Sequence, residues 1–325
     1  MFLNAEYAII VKAQTRLERL MKRSSTVSMA RFQVESQGGD FEDYQAEHEV
    51  YQESLQTVQK NLSKILRNKI VEREFVPSFI FKGQIPLVLV IGQDGLVANV
   101  AKYVDNIPIL AVNPEPSRYD GVLLPFRVDD FLNGVERVVS GKYVSRQAAL
   151  AEVRFAYGQR LLAFNDLFIG AASHVSARYR IRYEKTSEEQ SSSGIIISTK
   201  SGSSGWLSSV FNMSAGLKQL MKSSSDKRKE TAAQNDVEIG ENELFFVVRE
   251  PFKSQRTGIG IIGGPVRKQG TLQVESMMPG GGIIFSDGIE SDFLHFNSGT
   301  IAHIGIAKET ASLVQKNDDY PLSES

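Results

Sequence analysis

Cysteine is absent from all 325 residues, which removes disulfides, thiolate zinc sites, iron–sulfur clusters and cysteine nucleophiles together. A chain without thiols suits a reducing compartment, and the cytoplasm is the expected location. Histidine is scarce. His48, His174, His295 and His303 include no close pair at zinc-motif spacing. Neither sign of charge is in excess: 37 Lys and Arg face 38 Asp and Glu, for a net charge of -1. No global field therefore draws the chain to nucleic acid or to an anionic membrane. No apolar run approaches the ~20 residues that cross a bilayer. The opening stretch MFLNAEYAIIVKAQTRLERL lacks the basic start, long apolar region and small-residue cleavage site of a signal peptide, and reads as a first strand and helix. Disorder is disfavoured too, because 42% of residues are hydrophobic and 23% charged, the balance of an ordinary globular protein.

At about 100–200 residues per domain, the length predicts two domains. The first half alternates strand and helix signals. Tyr7–Val11 reads as a strand and Gln14–Lys22 as a helix, with a turn at the glycine pair in Gln37–Asp40. From Phe41 to Ile65, apolar and aromatic residues recur at alternating intervals of three and four. This predicts a long amphipathic helix lying on its own sheet, although the spacing also suits a coiled coil and leaves a homo-oligomer open. Pro86–Ile91 (PLVLVI) and Ile107–Val112 (IPILAV) are continuous apolar runs of the kind found in buried parallel strands. The helix predicted between them, Val97–Val104, makes a right-handed βαβ unit. Asp129–Val139 reads as a further helix.

From about Ala149 the pattern changes to short β-type segments separated by Gly and Pro, among them Ala177–Glu184, Ile195–Thr199, Leu244–Arg249, Ile259–Gly263 and Thr300–Ala307. A sandwich-like all-β domain is expected, interrupted by one helix from Ser203 to Met221. The boundaries expected are an α/β domain over 1–145, a β-rich domain over 146–310 and a tail over 311–325. The polar stretch Lys222–Asp236 is expected to be a mobile loop and Asn317–Ser325 a frayed end.

Three segments carry candidate chemistry. Gly92-Gln93-Asp94-Gly95 follows a buried strand and opens a helix. There glycines let a phosphate approach the backbone, and free N–H groups meet it. The same four residues are also an ordinary tight turn with Asp94 capping the helix. Asn165-Asp166 sets two short polar side chains inside an apolar stretch. They suit a ribose or a base edge, and equally a turn held by side-chain to backbone bonds. Gly194–Trp206 (GIIISTKSGSSGW) runs from a β-branched strand into a hydroxyl-rich turn, with the sole tryptophan placed to stack on a base or to pack in a core.

Taken in order, these segments resemble the NAD kinase family. IPLVLVIGQDGLVANVAKYV is similar to that family's strand, GGDG loop and helix. IPILAVNPEPSRYDGVLLPF resembles its next strand and Asn-x-Gly-x-Leu-Gly-Phe segment, stretched by an insertion between Asn113 and Phe126. AFNDLFIGAASHVSARYRIRY resembles the Asn-Glu motif and GIIISTKSGSSGWLSSV the DGxxxSTPTGSTAY segment. FSDGIESDFLHFNSGTIAHIGIA resembles the closing strands around an Asp-Gly. The resemblance implies a Rossmann-like α/β domain with a parallel sheet, followed by an all-β sandwich-like domain. It also implies phosphorylation of the adenosine-ribose 2′-hydroxyl of NAD from ATP with Mg2+ or another divalent cation.

On that resemblance Asp94 is the base or metal organiser. Gly92, Gln93, Gly95, Asn113 and Phe126 are nucleotide or phosphate contacts. Asn165, Asp166, Ser193, Thr199, Ser201, Gly202, Ser203, Trp206 and Ser209 hold the acceptor. Gln93 stands where the family has a glycine, Asp166 where it has Glu, Ser193 where it has Asp, and Lys200 where it has proline. These departures leave two alternatives beside NAD phosphorylation: another acceptor (sugar, lipid or nucleoside), or a nucleotide-binding homologue without catalysis. The implied partners are small-molecule nucleotides, with neither nucleic acid nor membrane.

Overall fold

The computed structural model describes residues 7–80, 85–221, 238–268, 270 and 272–316. The expected loop Lys222–Asp236 and frayed end Asn317–Ser325 lie outside the described residues. The chain divides into two units, Met1–Gln147 with Ala311–Ser325, and Ala148–Thr310. No helix among the described residues is long and apolar enough to cross a membrane.

The first unit comprises β1 (Ala8–Lys12), α1 (Arg16–Met21), α2 (Val27–Glu35), α3 (Phe41–Leu62), β2 (Asn68–Glu72), α4 (Val76–Ile80), β3 (Val88–Ile91), α5 (Asp94–Ala101), β4 (Pro108–Asn113), β5 (Phe126–Arg127) and α6 (Phe131–Val139). β1 pairs in parallel with β2 and β3, and β3 with β4. Every residue of β3 is buried, as is β1 from Ala8 to Val11. Burial on both faces is why these strands read as unbroken apolar runs. The long periodic segment is α3, capped by the Asp40 carboxylate on the Glu42 N–H (2.9 Å). Its Tyr51, Leu55, Val58 and Leu62 pack with Ile10, Leu89 and Leu110 of the sheet.

Three expectations are corrected in this unit. α5 starts at Asp94 rather than Val97. α2 was not anticipated, because only Ala30 and Val34 of its nine residues are buried, too few for a periodic signal. The tail expected from 311 begins as ordered strand: Ser312 and Leu313 pair in parallel with Pro108 and Ile109, alongside buried Leu110 and Val112.

The second unit is built on β6 (Ser145–Phe155), β7 (Arg160–Ala163), β8 (Asp166–Ala171), β9 (Ala177–Tyr183), β10 (Thr186–Ser192), β11 (Ile195–Ser198), α7 (Ser208–Met221), β12 (Glu243–Val248), β13 (Gly263–Arg267), β14 (Leu272–Ser276), β15 (Gly282–Ser286), β16 (Ile289–His295) and β17 (Ile301–Val314), the first residues of β6 and the last of β17 belonging to the first unit. Antiparallel neighbours run β10-β9-β14-β17 in one sheet and β13-β12-β11-β8-β15-β16 in the other. Tyr179, Ile181 and Val274 of the first sheet share one buried cluster with Ile195, Ile197, Phe246 and Ile284 of the second. β9 shows the strict alternation of ARYRIRY, with Ala177, Tyr179 and Ile181 inward.

Two expectations shift here. The strand expected at Ile259–Gly263 lies at Gly263–Arg267, because the Glu188 carboxylate takes the N–H groups of Gly260 (3.2 Å) and Ile261 (2.7 Å) and holds that apolar run out of the ladder. The helix expected from Ser203 begins as an irregular turn over Ser203–Leu207, broken at Gly205 (φ −92°, ψ −119°), and continues as α7.

Candidate functional site

In the first unit the strand order β2-β1-β3 makes the chain leave β1 on one side and return on the other. In open parallel sheets such a switch point leaves a crevice at the carboxyl ends of the strands. Here that end of the sheet carries the residues after β1 and the Gly92–Gly95 turn after β3. The Tyr51 hydroxyl of α3 ties both sides, accepting from the Ala13 N–H (2.8 Å) and donating to the Ile91 carbonyl (2.9 Å). Burial pushes this phenol well above its ordinary value. Gly92 sits at φ +157°, and a Cβ there would stand 3.1 Å from both Ala13 Cβ and Leu96 Cδ2.

Gln93 has extended backbone (φ −116°, ψ 164°), so a side chain at this position requires no left-handed conformation. Gln93 is also the N-cap, without a side-chain cap bond, and Asp94 is the first helical residue. The capping role weighed for Asp94 is therefore not the one it plays. Its Oδ1 instead accepts the Leu123 N–H at 2.6 Å, 29 residues away. A Cβ on Gly95 would meet nothing within 4 Å, so the side of the first turn of α5 at Gly95 is open.

Two expected phosphate contacts have internal partners. Asn113 is buried and both ends of its amide are engaged: Nδ2 donates to the Tyr119 carbonyl (2.9 Å) and Oδ1 accepts the Glu115 N–H (3.0 Å). Phe126 is buried in the core with Leu110, Phe131 and Val135. Both side chains are engaged within the chain itself.

In the second unit Asn165-Asp166 forms the turn between β7 and β8. The Asp287 carboxylate accepts the N–H groups of Phe164 (3.0 Å), Asn165 (2.7 Å) and Asp166 (3.3 Å), and the Asp287 N–H donates to the Asp166 carbonyl (3.0 Å). Asp287 (φ 52°) and Gly288 (φ 70°) are the tight turn of the β15–β16 hairpin, whose left-handed geometry suits an Asp-Gly pair. Thr199 closes the other side: its N–H donates to the Asn165 carbonyl (2.9 Å) and its hydroxyl to the Phe164 carbonyl (2.5 Å). Gly202 lies so close that a Cβ would stand 2.4 Å from the Asn165 carbonyl oxygen.

This bracing leaves two unsatisfied functions on the turn. The Asn165 side chain makes no hydrogen bond recorded among the described residues, and Asp166 Oδ1 is buried without a partner. Burial pushes the Asp166 carboxyl up to about 7; the Ser198 hydroxyl opposes the rise and the Asp287 charge adds to it.

Asn165, Asp166, Thr199 and Gly202 are thus brought together. The remaining candidates have other engagements. Ser193 bonds Glu250, Ser203 donates to the Lys200 carbonyl (2.8 Å) and Ser209 to the Gly205 carbonyl (3.4 Å). Ser201 is half-buried. Lys200 pairs with Glu241, which answers its charge. Trp206 stacks on Phe168 (centroids 5.5 Å apart, planes 16° apart), with the Arg249 guanidinium 5.5 Å from its ring. Sequence reasoning noted Asp287 only as part of an Asp-Gly between closing strands, without a role, and missed Tyr51 and the Leu123 amide. An Asp-Gly between two β-type runs signalled the first as a hairpin turn; the others act across long separations that no local pattern reveals.

No family model matches the chain. Over 154 residues the chain is 27% identical to NAD kinases of Saccharolobus islandicus, including strains M.14.25 / Kamchatka #1 and Y.G.57.14 / Yellowstone #1. That stretch is 47% of this chain and 55% of each relative, so the chain spans about half the length of the relatives it matches. In fold it is similar to yeast NADH kinase complexed with NADH, with a TM-score of 0.57 at 10% identity over 98% of this chain and 86% of that one. It is also similar to an NAD kinase from Archaeoglobus fulgidus in complex with ATP, with a TM-score of 0.55 at 14% identity over 96% of this chain and 94% of that one. In fold along nearly its whole length, and in sequence over those 154 residues, this chain is similar to NAD and NADH kinases.

Proposed function

We propose that this chain is a kinase that transfers the terminal phosphoryl group of ATP to the adenosine-ribose 2′-hydroxyl of NAD. The observation that carries the reading is Asp94. It is a carboxylate at the open start of α5, at a sheet switch point, with one oxygen fixed by a backbone amide and the other with no described partner. Phosphoryl transfer needs positioning and charge neutralisation more than covalent chemistry, and that arrangement supplies both. Gly92 and Gly95 let phosphates approach the backbone. The free oxygen of Asp94 accepts the proton of the attacking hydroxyl or orients it. In the second unit, the Asn165 amide and Asp166 Oδ1 are a donor–acceptor set suited to a polar nucleotide edge.

Among the described residues no cluster of three or more His, Asp or Glu is arranged to hold a metal. Mg2+ keeps waters and substrate phosphates and takes only one or two carboxylates from a protein. Asp94 is the carboxylate available to it, and the cation would neutralise charge on the phosphates.

One observation favours a different acceptor on the same chemistry. Ser193 stands where the family has an acidic residue, and its hydroxyl is turned to Glu250. Purified protein with ATP, Mg2+ and a panel of NAD, NADH, sugars, nucleosides and diacylglycerol separates the readings: product from NAD supports the first, and product only from another acceptor the second. Asp94→Asn is expected to fold normally and to bind NAD, followed by Trp206 fluorescence, while turnover falls by at least ~10²-fold. Undiminished turnover in Asp94→Asn refutes the mechanism whichever acceptor is used.

A further inference from the structure

The inserted segment between Asn113 and Phe126 is held at every turn. Asn113 brackets it through Tyr119 and Glu115. The Arg118 guanidinium reaches Asp43 of α3 (2.8 Å) and Glu115 (2.9 Å), and Asp43 in turn pairs with Arg16 (2.8 Å). Gly121, at φ +65°, turns the chain where a Cβ would lie 2.5 Å from Asn113 Nδ2, and buried Leu124 anchors the far end. What this strap delivers to the crevice is one backbone amide, that of Leu123, 2.6 Å from Asp94 Oδ1.

We propose that the strap over 114–124 sets the orientation of the Asp94 carboxylate, with Asn113 and Arg118 as its positioning residues. The inference rests on Asp94 being the working carboxylate of the kinase reading. An aspartate at the first position of a helix has freedom about both side-chain torsions. One short bond to a fixed amide removes most of that freedom and aims the second oxygen outward. Misplacement of a reacting group by ~1 Å costs up to ~10²-fold in rate, so an element that holds Asp94 acts on turnover rather than on ground-state binding.

Two measurements test this. The first is amide hydrogen exchange at Leu123 in the wild type, Asp94→Ala, Asn113→Ala and Arg118→Met. Slow exchange in the wild type, rising at least ~10-fold in each variant, is expected from loss of a charge-assisted bond or of its scaffold. The second is kinetics with ATP and NAD. Asn113→Ala should lower kcat at least ~10-fold and leave both KM values within about 2-fold, and Arg118→Lys should recover part of what Arg118→Met loses. If Asn113→Ala fails to fold, Arg118→Met, on a half-exposed pair, carries the same test. Fast exchange in the wild type, or exchange indifferent to Asp94→Ala, overturns the inference. So does lost protection with unchanged kcat, which leaves the kinase reading standing. A wild type without turnover on any acceptor sinks the kinase reading instead, and the role assigned to the strap falls with it, even if the exchange rates show that it grips Asp94.

Discussion

Asp166→Asn removes a charge that the native state holds against its solvation. Burial, opposed by the Ser198 hydroxyl and reinforced by Asp287, moves the Asp166 carboxyl from 3.8 to about 7. Its native value is raised, so between about pH 4 and pH 7 the native state binds more protons than the unfolded one. Stability is fully present below about pH 4, is lost progressively as the pH rises to about 7, and is flat beyond. At about 1.4 kcal/mol per pH unit, that interval corresponds to a gross penalty of ~4 kcal/mol on the ionised form. Relaxation around a half-buried group reduces it, and the three N–H groups on Asp287 already blunt the neighbouring charge. The advantage of Asp166→Asn over the wild type should therefore grow by ~1–3 kcal/mol between pH 5 and pH 8. Urea unfolding followed by fluorescence reads this directly, since the sole tryptophan, Trp206, lies in the same unit as Asp166. A midpoint difference that is the same at both pH values, or a variant less stable at pH 8, refutes the reasoning. Nucleotide affinity should fall at the same time by roughly 10-fold, the usual conflict between stability and a strained site.

Tyr51→Phe strips the Ala13 N–H and the Ile91 carbonyl of a buried partner, and calorimetry should show the first unit destabilised by about 1–3 kcal/mol. No change in that transition would mean that water replaces the hydroxyl. Gly202→Ala places a Cβ 2.4 Å from the Asn165 carbonyl oxygen and 2.8 Å from Ser198 Oγ, so the turn must move. A loss of ~1–3 kcal/mol in the Trp206-monitored transition is expected, together with weaker nucleotide binding, and a variant that matches the wild type in both would show the turn to be soft.

The elements legible in the sequence are those whose residues carry their own signal. β3 is buried on both faces and reads as an apolar run, α3 keeps its seam for 22 residues, and β9 alternates without exception. β10 was invisible. TSEEQSS contains no apolar residue and is a strand only because β9 supplies its partners from Tyr183 to Ala177. The site was half legible for a related reason. Residue types placed Asp94, Asn165 and Asp166, but a local pattern could not choose between turn and ligand contact. At Asn165 the structure shows the turn, with a braced backbone, and a side chain free of described partners. Asp287 reaches that turn across more than 120 residues, and the Leu123 amide reaches Asp94 across 29. Contacts closed by topology leave no periodic trace.

The edge of β4 also bears on how the chain is made. β3 occupies one side of β4. The other side is shared, with Phe126 and Arg127 against its upper residues, and Ser312 and Leu313 against Pro108 and Ile109. A ribosome adding ~5–20 residues per second emits β4 roughly 10–40 s before the segment that covers its lower half. For that interval the nascent first unit carries an open backbone edge beside buried aliphatic strands, the kind of surface that recruits chaperones or seeds association between growing chains. Its assembly is therefore paced by synthesis of the β-rich unit in between, so slow codons or stalls in that region would lengthen the exposure of an element encoded 200 residues earlier.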